Sequence, residues 1–407
     1  MNFMGYKRPD GSVGIRNHVL ILPGCACASE TCRVVASQVS GAVNIINNSG
    51  CAEVKGNEDM TQKILVGFAA NPNVYGVVVI GLGCENVSHS QLRESILKVT
   101  NKPVVSFGIQ ARAVAEEIRT TGKRVEVVVI QEEGGTLKTI EKAVRVARQM
   151  VADASRVTRE PCDISNLMLG IECGGSDATS GFGANPAVGN LSDRLVDLGA
   201  STMMSETIEF VGAEHILARR GATKEIHDQI IQICRDYEAH LAAAGQDCRH
   251  GQPTPGNKEG GLSTIEEKSL GCIYKGGTRP IVEVVMEGER PTKKGAIVMD
   301  SPGYDIASVT AMVAGGCQVV VFTTGRGTPT GHALAPVLKV TANRATYQNM
   351  IDNMDIDASG VTEGEVSIEE AGASMLDEVL EVCNGKTTKA ESYGFSDIAI
   401  DRICRFI

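Results

Sequence analysis

Short runs of β-branched residues recur along this chain with amphipathic stretches between them, and that rhythm admits few architectures. The runs are His18-Val-Leu-Ile-Leu22, Val43-Asn-Ile-Ile46, Val77-Val-Val-Ile80, Pro103-Val-Val-Ser106 and Val125-Glu-Val-Val-Val-Ile130. Residues 58–70 and 140–152 place apolar side chains three and four apart, the spacing of a helix with one buried face. Strands that alternate with helices of this length build a parallel sheet with helices on its faces. After a polar stretch the rhythm restarts with Leu167-Met-Leu-Gly-Ile171, Gly295-Ala-Ile-Val-Met299 and Gln318-Val-Val-Val-Phe322. The expected organisation is therefore a Rossmann-like parallel α/β domain over residues 1–158 and a larger α/β domain over 159–407. Helices are expected at 213–217 and 224–243, ahead of a Gly- and Pro-dense loop at 251–261.

Composition narrows the function. A formal net charge of −10 disfavours nucleic acid, whose binders carry a basic face, and favours small-molecule ligands. The longest apolar stretches fall short of the roughly 18 residues needed to cross a bilayer, and the first residues do not read as a secretory signal. The odd count of 13 cysteines argues against a disulfide framework and for a reducing, cytoplasmic compartment. With 45 glycines and no tryptophan, the chain suits an enzyme whose loops approach ligands closely.

The cysteines are the first candidates for chemistry. Cys27, Cys51 and Cys84 each follow an expected strand in a turn of small residues, and Cys173 follows the first strand of the second domain. Carboxyl-terminal strand ends of a parallel sheet share one edge, so such thiols can converge on a soft metal such as zinc or iron, or on an iron–sulfur cluster. Cys162, Cys234, Cys248, Cys272, Cys317, Cys383 and Cys404 lack that placement and read as packing residues. Anion sites are expected at Lys258, beside a glycine-rich turn with Ser263 or Thr264 as helix cap, and at Arg326 between Gly325 and Gly327 after an apolar run. Glu206, Glu209, Glu214 and His215 offer acid–base groups or metal ligands, and His332 follows a glycine-rich loop. Gly81-Leu-Gly83 lacks a third glycine at Asn86, which weakens a dinucleotide reading. A thiol-based iron sensor is a competing reading, and it leaves Lys258 and Arg326 without a purpose.

Taken together, a series of motifs resembles the altronate and galactarate dehydratase family. It comprises Gly5-Tyr-Lys-Arg-Pro-Asp-Gly-Ser-Val-Gly-Ile-Arg-Asn17, Asn71-Pro-Asn-Val-Tyr-Gly-Val-Val-Val-Ile-Gly-Leu-Gly-Cys-Glu85, Cys173-Gly-Gly-Ser-Asp177, Ala184-Asn-Pro186, Ser205-Glu-Thr207, Gly212-Ala-Glu-His215, Pro255-Gly-Asn-Lys258, Glu267-Lys-Ser-Leu-Gly271, Lys275-Gly-Gly-Thr278, Met299-Asp-Ser-Pro-Gly-Tyr-Asp305 and Phe322-Thr-Thr-Gly-Arg-Gly327. The resemblance runs from residue 5 to about 400. It implies an iron-dependent lyase that removes water from a 2,3-dihydroxy sugar acid, or sulfite from 3-sulfolactate as in a sulfo-lyase of the same family. It also implies iron held by Cys27, Cys51, Cys84 and Cys173, and Glu206, His215 and Lys258 are taken as the catalytic residues, Glu206 or His215 exchanging the proton while Lys258 and Arg326 bind the carboxylate. Substrate contacts are implied from Ser176, Asp177, Asn185, Thr324 and Arg326. Sugar-acid members tend to carry a histidine just before the second cysteine, whereas Asn47-Asn-Ser-Gly50 precedes Cys51 here. The small amino-terminal domain fused in several relatives is not seen, which implies a separately encoded small subunit; a homo-oligomer is also expected.

Overall fold

The computed structural model describes residues 1–85 and 109–402. The expected strand at 103–106 and Cys404 lie outside the described residues. The chain divides into two compact units, one built from Tyr6–Arg159 with residues from 400 onward, the other from Met1–Gly5 and Glu160–Ala399. The first five residues join the larger unit because β1 (Asn2–Lys7) pairs antiparallel with β7 (Glu160–Asp163) through residues 2–5. Tyr6 and Lys7 pair instead with β2 (Val13–Gly14).

In the smaller unit β3 (His18–Pro23), β4 (Ala42–Asn44), β5 (Val74–Gly81) and β6 (Arg124–Val129) form a parallel sheet in the order β4-β3-β5-β6. The central strands β3 and β5 are almost wholly buried, as expected of continuous apolar runs covered on both faces. Helices Ser29–Ser37, Lys55–Ala70, Ile109–Arg119 and Thr136–Ala154 flank the sheet. The last turns Ala143, Ala147, Met150 and Ala154 into a core with Val19, Ile21, Val78 and Ile80, small residues that let helix and sheet approach.

The larger unit carries a seven-stranded parallel sheet in the order β10-β11-β9-β8-β12-β13-β14. Its strands are β8 (Met168–Cys173), β9 (Ser201–Met204), β10 (Ile281–Met286), β11 (Ala296–Asp300), β12 (Val319–Thr323), β13 (Val337–Thr341) and β14 (Ile356–Asp357). The chain leaves β8 toward β9 on one side and later leaves β12 toward β13 on the other, so strand order reverses between β8 and β12. Loops diverge at such a point and open a crevice outside the carboxyl ends of the strands. The loops are tied at their base: Gly174 N donates to Thr323 O (3.1 Å), and Arg326 N donates to Gly175 O (2.9 Å).

Several strands escape sequence patterning. Ser201-Thr-Met-Met204 is fully buried yet has a single β-branched residue, and β13 carries Lys339 in its centre, buried with its ammonium donating to Thr330 O and Val337 O. The loop at 251–261 contains a short helix, Pro255–Glu259, closed by a reciprocal Thr254–Asn257 cap. Helix Ile265–Ile273 begins at Thr264, whose side chain accepts from Glu267 N. Among the described residues no helix is long and apolar enough to cross a membrane.

Candidate active site

Four loops at the carboxyl edge of the larger sheet bring one set of ionisable groups together. β8 ends on Glu172 and Cys173; Glu206 and Glu209 follow β9; Asp305 opens the helix Asp305–Ala314 after β11; Lys268, Cys272 and Lys275 come from helix Ile265–Ile273 and the turn after it. Glu172, Cys173, Glu206, Glu209, Cys272 and Lys275 are all buried.

At the centre Lys275 Nζ meets Glu209 Oε2 at 2.5 Å, with Lys268 Nζ 3.5 Å from Glu209 Oε1. Burial alone would push the Glu209 carboxyl up, but the two lysines, with hydrogen bonds from Lys275 and Cys272, outweigh it and hold the group below the usual carboxylate range. Burial alone would likewise lower Lys275, and the surrounding acidic groups, Glu209 foremost, keep it well above the ordinary lysine value.

Cys173 Sγ is ringed by donors. Cys272 Sγ lies 3.9 Å away, Ser176 Oγ 3.1 Å and Asn185 Nδ2 3.6 Å. The hydrogen bond from Cys272, helped by Lys275 and Ser176 against burial and the Glu209 charge, brings the Cys173 thiol down to about 6, while Cys272 as donor moves well above the ordinary thiol value. Asn185 is itself fixed, donating to Gly271 O (3.0 Å) and accepting from Thr323 Oγ1 (2.6 Å).

Alongside lies a carboxyl group of three. Glu172, Glu206 and Asp305 each place one oxygen within 4.8 Å of the others. Burial, then the charges of Glu172 and Glu209, hold Glu206 well above the carboxylate range; burial also lifts Glu172 to about 7, moderated by Lys275. Glu206 is reached through a left-handed backbone (φ 68°), and its N–H donates to Ser301 Oγ (2.9 Å). Gly174 leaves room for Asp305, whose Oδ2 would lie 1.9 Å from a Cβ at that position.

A cavity of about 310 Å³ opens onto this network, lined by Ser176, Asp177, Asn185, Lys268, Gly271 and Cys272 among others, with Phe182 and Tyr274 at its rim. Two groups could hold a metal: Cys173–Glu209–Cys272 and Glu172–Glu206–Asp305.

The expected site residues fall in different places. Ser176, Asp177 and Asn185 line the cavity, Cys173 and Glu206 lie in the network, and Thr324 is buried with Oγ1 accepting from Gly327 N (2.9 Å). Asp177 is held by Thr179, Ser180 and Asn343. Lys258 and His215 are exposed. Arg326 is exposed too, donating to Gly256 O (3.2 Å) and lying 3.3 Å from Glu259 Oε2. His332 is buried, its Nδ1 accepting from Leu334 N (3.1 Å). In the smaller unit Cys27, Cys51 and Cys84 are the exposed cysteines among the twelve described. Their turns lie side by side, with Ala26 N donating to Ser49 O (2.8 Å) and Gly24 N to Ile80 O (2.9 Å), but the three sulfurs do not approach within the 4.8 Å of the buried clusters. Glu172, Lys268, Cys272, Lys275 and Asp305 were not singled out as catalytic from sequence, and Glu209 only as one of several acid–base or metal-ligand candidates. The signal available was the crowding of motifs at 267–278 and 299–305.

Buried acids, thiols and lysines beneath a cavity at the carboxyl edge of a parallel sheet characterise this as an α/β enzyme. The chain belongs to the D-galactarate/altronate dehydratase family: residues 164–405 match the D-galactarate/altronate dehydratase carboxyl-terminal domain, and residues 5–155 match the D-galactarate dehydratase/altronate hydrolase second domain. It is 37% identical over 403 residues to the (2R)-sulfolactate sulfo-lyase subunit beta of Chromohalobacter salexigens, covering 98% of this chain and 97% of that one. It is 32% identical to altronate dehydratase of Bacillus subtilis, covering 98% of this chain and 77% of the relative. Against galactarate dehydratase (L-threo-forming) of Escherichia coli the identity is 35%, over 94% and 73%. Like these relatives, the chain is a lyase.

Proposed function

We propose that the chain catalyses β-elimination from a 2-hydroxy acid, removing water from a 2,3-dihydroxy sugar acid to give a 2-keto-3-deoxy acid. The observation that carries this reading is the cavity walled by Lys268, Ser176, Asn185 and Cys272, the last three of which contact the buried Cys173 Sγ, because elimination needs a cation for the substrate carboxylate and a base beside it. Lys268, the cation on the cavity wall, is the group to meet the carboxylate. Cys173 Sγ, stabilised as thiolate by its three donors, takes the C2 proton. The electron pair left at C2 forms the C2–C3 double bond as the C3 substituent departs, and the enol then ketonises with a solvent proton at C3. Hydroxide leaves only with a proton or a Lewis acid, and Glu172, Glu206 and Asp305 are the part of the network able to supply one. Asn185 and Ser176 orient Cys173, and Glu209 keeps Lys268 and Lys275 in place.

Iron fits a different part of the chain by donor type. Cys27, Cys51 and Cys84 offer three accessible thiols on adjoining turns and would hold it as thiolates, where it would supply Lewis acidity.

A second reading, loss of sulfite from 3-sulfolactate to give pyruvate, is favoured by the 37% identity across nearly the whole sulfo-lyase subunit. Sulfite is the better leaving group and asks less of the carboxyl group. Since that relative is named as one subunit, a separately encoded small subunit is part of the proposal, and co-expression with a candidate small-subunit chain followed by co-purification tests it. The activity test is direct: altronate, galactarate and 3-sulfolactate are supplied in turn, and 2-keto acid and sulfite are assayed. Keto acid without sulfite supports the first reading and sulfite the second; neither product, with the small subunit present, defeats both.

A further inference from the structure

We propose that Phe182, Leu270 and Tyr274 form a subsite for the substrate carbons beyond C3 and so set the chain length of acid the enzyme accepts. The proposal rests on the β-elimination reading for which end of the acid lies inward. All three side chains line the cavity that also holds Lys268, and they are 58%, 39% and 50% exposed. Large apolar side chains scattered singly on a surface need no explanation. Three gathered on one cavity, with Leu262 and Ala178 beside them, mark a place that a ligand covers.

The backbone holds this wall in place. Phe182 sits in a π-helical turn, Ser180–Ala184, closed by Asn185 N donating to Ser180 O. Such turns are rare and recur at functional sites. This one runs directly into helix Asn185–Asp197, whose first residue touches Cys173 Sγ. The elements carrying Phe182 and Leu270 meet at glycine. A Cβ on Gly271 would lie 3.0 Å from Gly181 Cα, and one on Gly181 would lie 3.4 Å from Gly271 Cα. Neither glycine has a left-handed backbone, so the close approach is what asks for glycine at both. Phe182 and Leu270, each next to one of these glycines, are thereby held at one spacing.

The polar groups of the lining are mostly committed elsewhere. Asp177 accepts from Thr179, Ser180 and Asn343, and Glu267 accepts from Ser263. Asn185 donates to Gly271 O and accepts from Thr323. What Phe182, Leu270 and Tyr274 offer is ring face and aliphatic surface, which packs against the C–H faces of a carbon chain rather than reading its hydroxyls. A three-carbon acid ends at the atom that loses its substituent and places nothing there; a six-carbon acid has C4 to C6 to bury.

Glycerate and altronate share the 2,3-dihydroxy acid end, and altronate alone has carbons beyond C3. Each is titrated calorimetrically into the full chain carrying Cys173→Ser, so that elimination does not accompany binding. The expected result is that Phe182→Ala and Tyr274→Ala each weaken altronate binding about tenfold and leave glycerate binding within about twofold. Tyr274→Phe, which keeps the ring, should bind altronate like its parent. Glycerate binding too weak to titrate beside firm altronate binding also supports a subsite beyond C3. Equal weakening of both acids, altronate binding untouched in either alanine variant, or no altronate binding by the parent overturns the subsite. Chain-length-dependent binding with no keto acid from any substrate leaves the subsite standing and removes the elimination reading. Keto acid formed from altronate with one KM in the wild type and both alanine variants does the reverse.

Discussion

Replacing Lys275 by methionine removes the positive half of the most deeply buried ion pair at the candidate site. Lys275 and Glu209 side chains are 0% and 2% exposed and 2.5 Å apart, so the lost ammonium cannot be replaced by bulk water. Breaking a buried pair from one side costs about 3–5 kcal/mol, since the stranded carboxylate keeps its desolvation penalty. Lys268 at 3.5 Å offers partial compensation, which places the expectation near about 3 kcal/mol. The pH dependence has a definite sign. Because Glu209 is held below its unfolded value, its contribution is present above the ordinary carboxylate range and fades as pH falls through the folded value. In Lys275→Met the carboxyl is released upward and can protonate, so the deficit should be larger at pH 8 than at pH 5. Urea denaturation at both values measures it, and Lys275→Met with Glu209→Gln should recover part of the loss. A single variant costing less than about 1 kcal/mol, typical of an exposed pair, would refute the assignment of this pair as a buried anchor.

Three further perturbations follow from the same geometry. Serine at Cys27, Cys51 and Cys84 should lower iron content measured anaerobically by metal analysis; unchanged iron in all three variants contradicts the thiolate assignment. Gly174→Ala sets a methyl against Asp305 Oδ2 and should destabilise by about 1–3 kcal/mol, visible as a lower thermal midpoint, with Gly174→Ser no better. Arg326 lies half-exposed against Glu259, so Arg326→Ala should shift the thermal midpoint little; a raised KM would support a substrate role, and unchanged kinetics would assign the arginine to the surface pair alone.

Sequence made the sheets legible because apolar strands ending in small residues signal buried parallel strands. Val77-Val-Val-Ile80 sits in a strand, all but the first residue of Gln318-Val-Val-Val-Phe322 sits in another, and helix Lys224–Ala243 coincides with its periodic stretch. The strands at 201–204 and 337–341 were hidden, one by methionines and one by a buried lysine whose role is set by carbonyls distant in sequence. The site was legible where chemistry sits directly after a strand, as at Cys173 and Glu206. It was illegible where partners meet across long separations: Cys272 lies 99 residues from Cys173, and Lys275 lies 66 from Glu209. Nothing local distinguishes a buried lysine from a solvated one, and Cys272, expected only to pack, turns out to donate to the Cys173 sulfur. Conversely Lys258 and His215, placed in motifs, lie on the surface.

The central claim is that a proton leaves C2 and a substituent leaves C3 of a 2-hydroxy acid at the Cys173 network. The most direct measurement is mass spectrometry of the product formed from substrate deuterated at C2. Complete loss of that deuteron is expected, with one solvent hydrogen gained at C3 of the 2-keto acid and loss of both product and C2 exchange in Cys173→Ser. A product retaining deuterium at C2, or full turnover by Cys173→Ser, would contradict it.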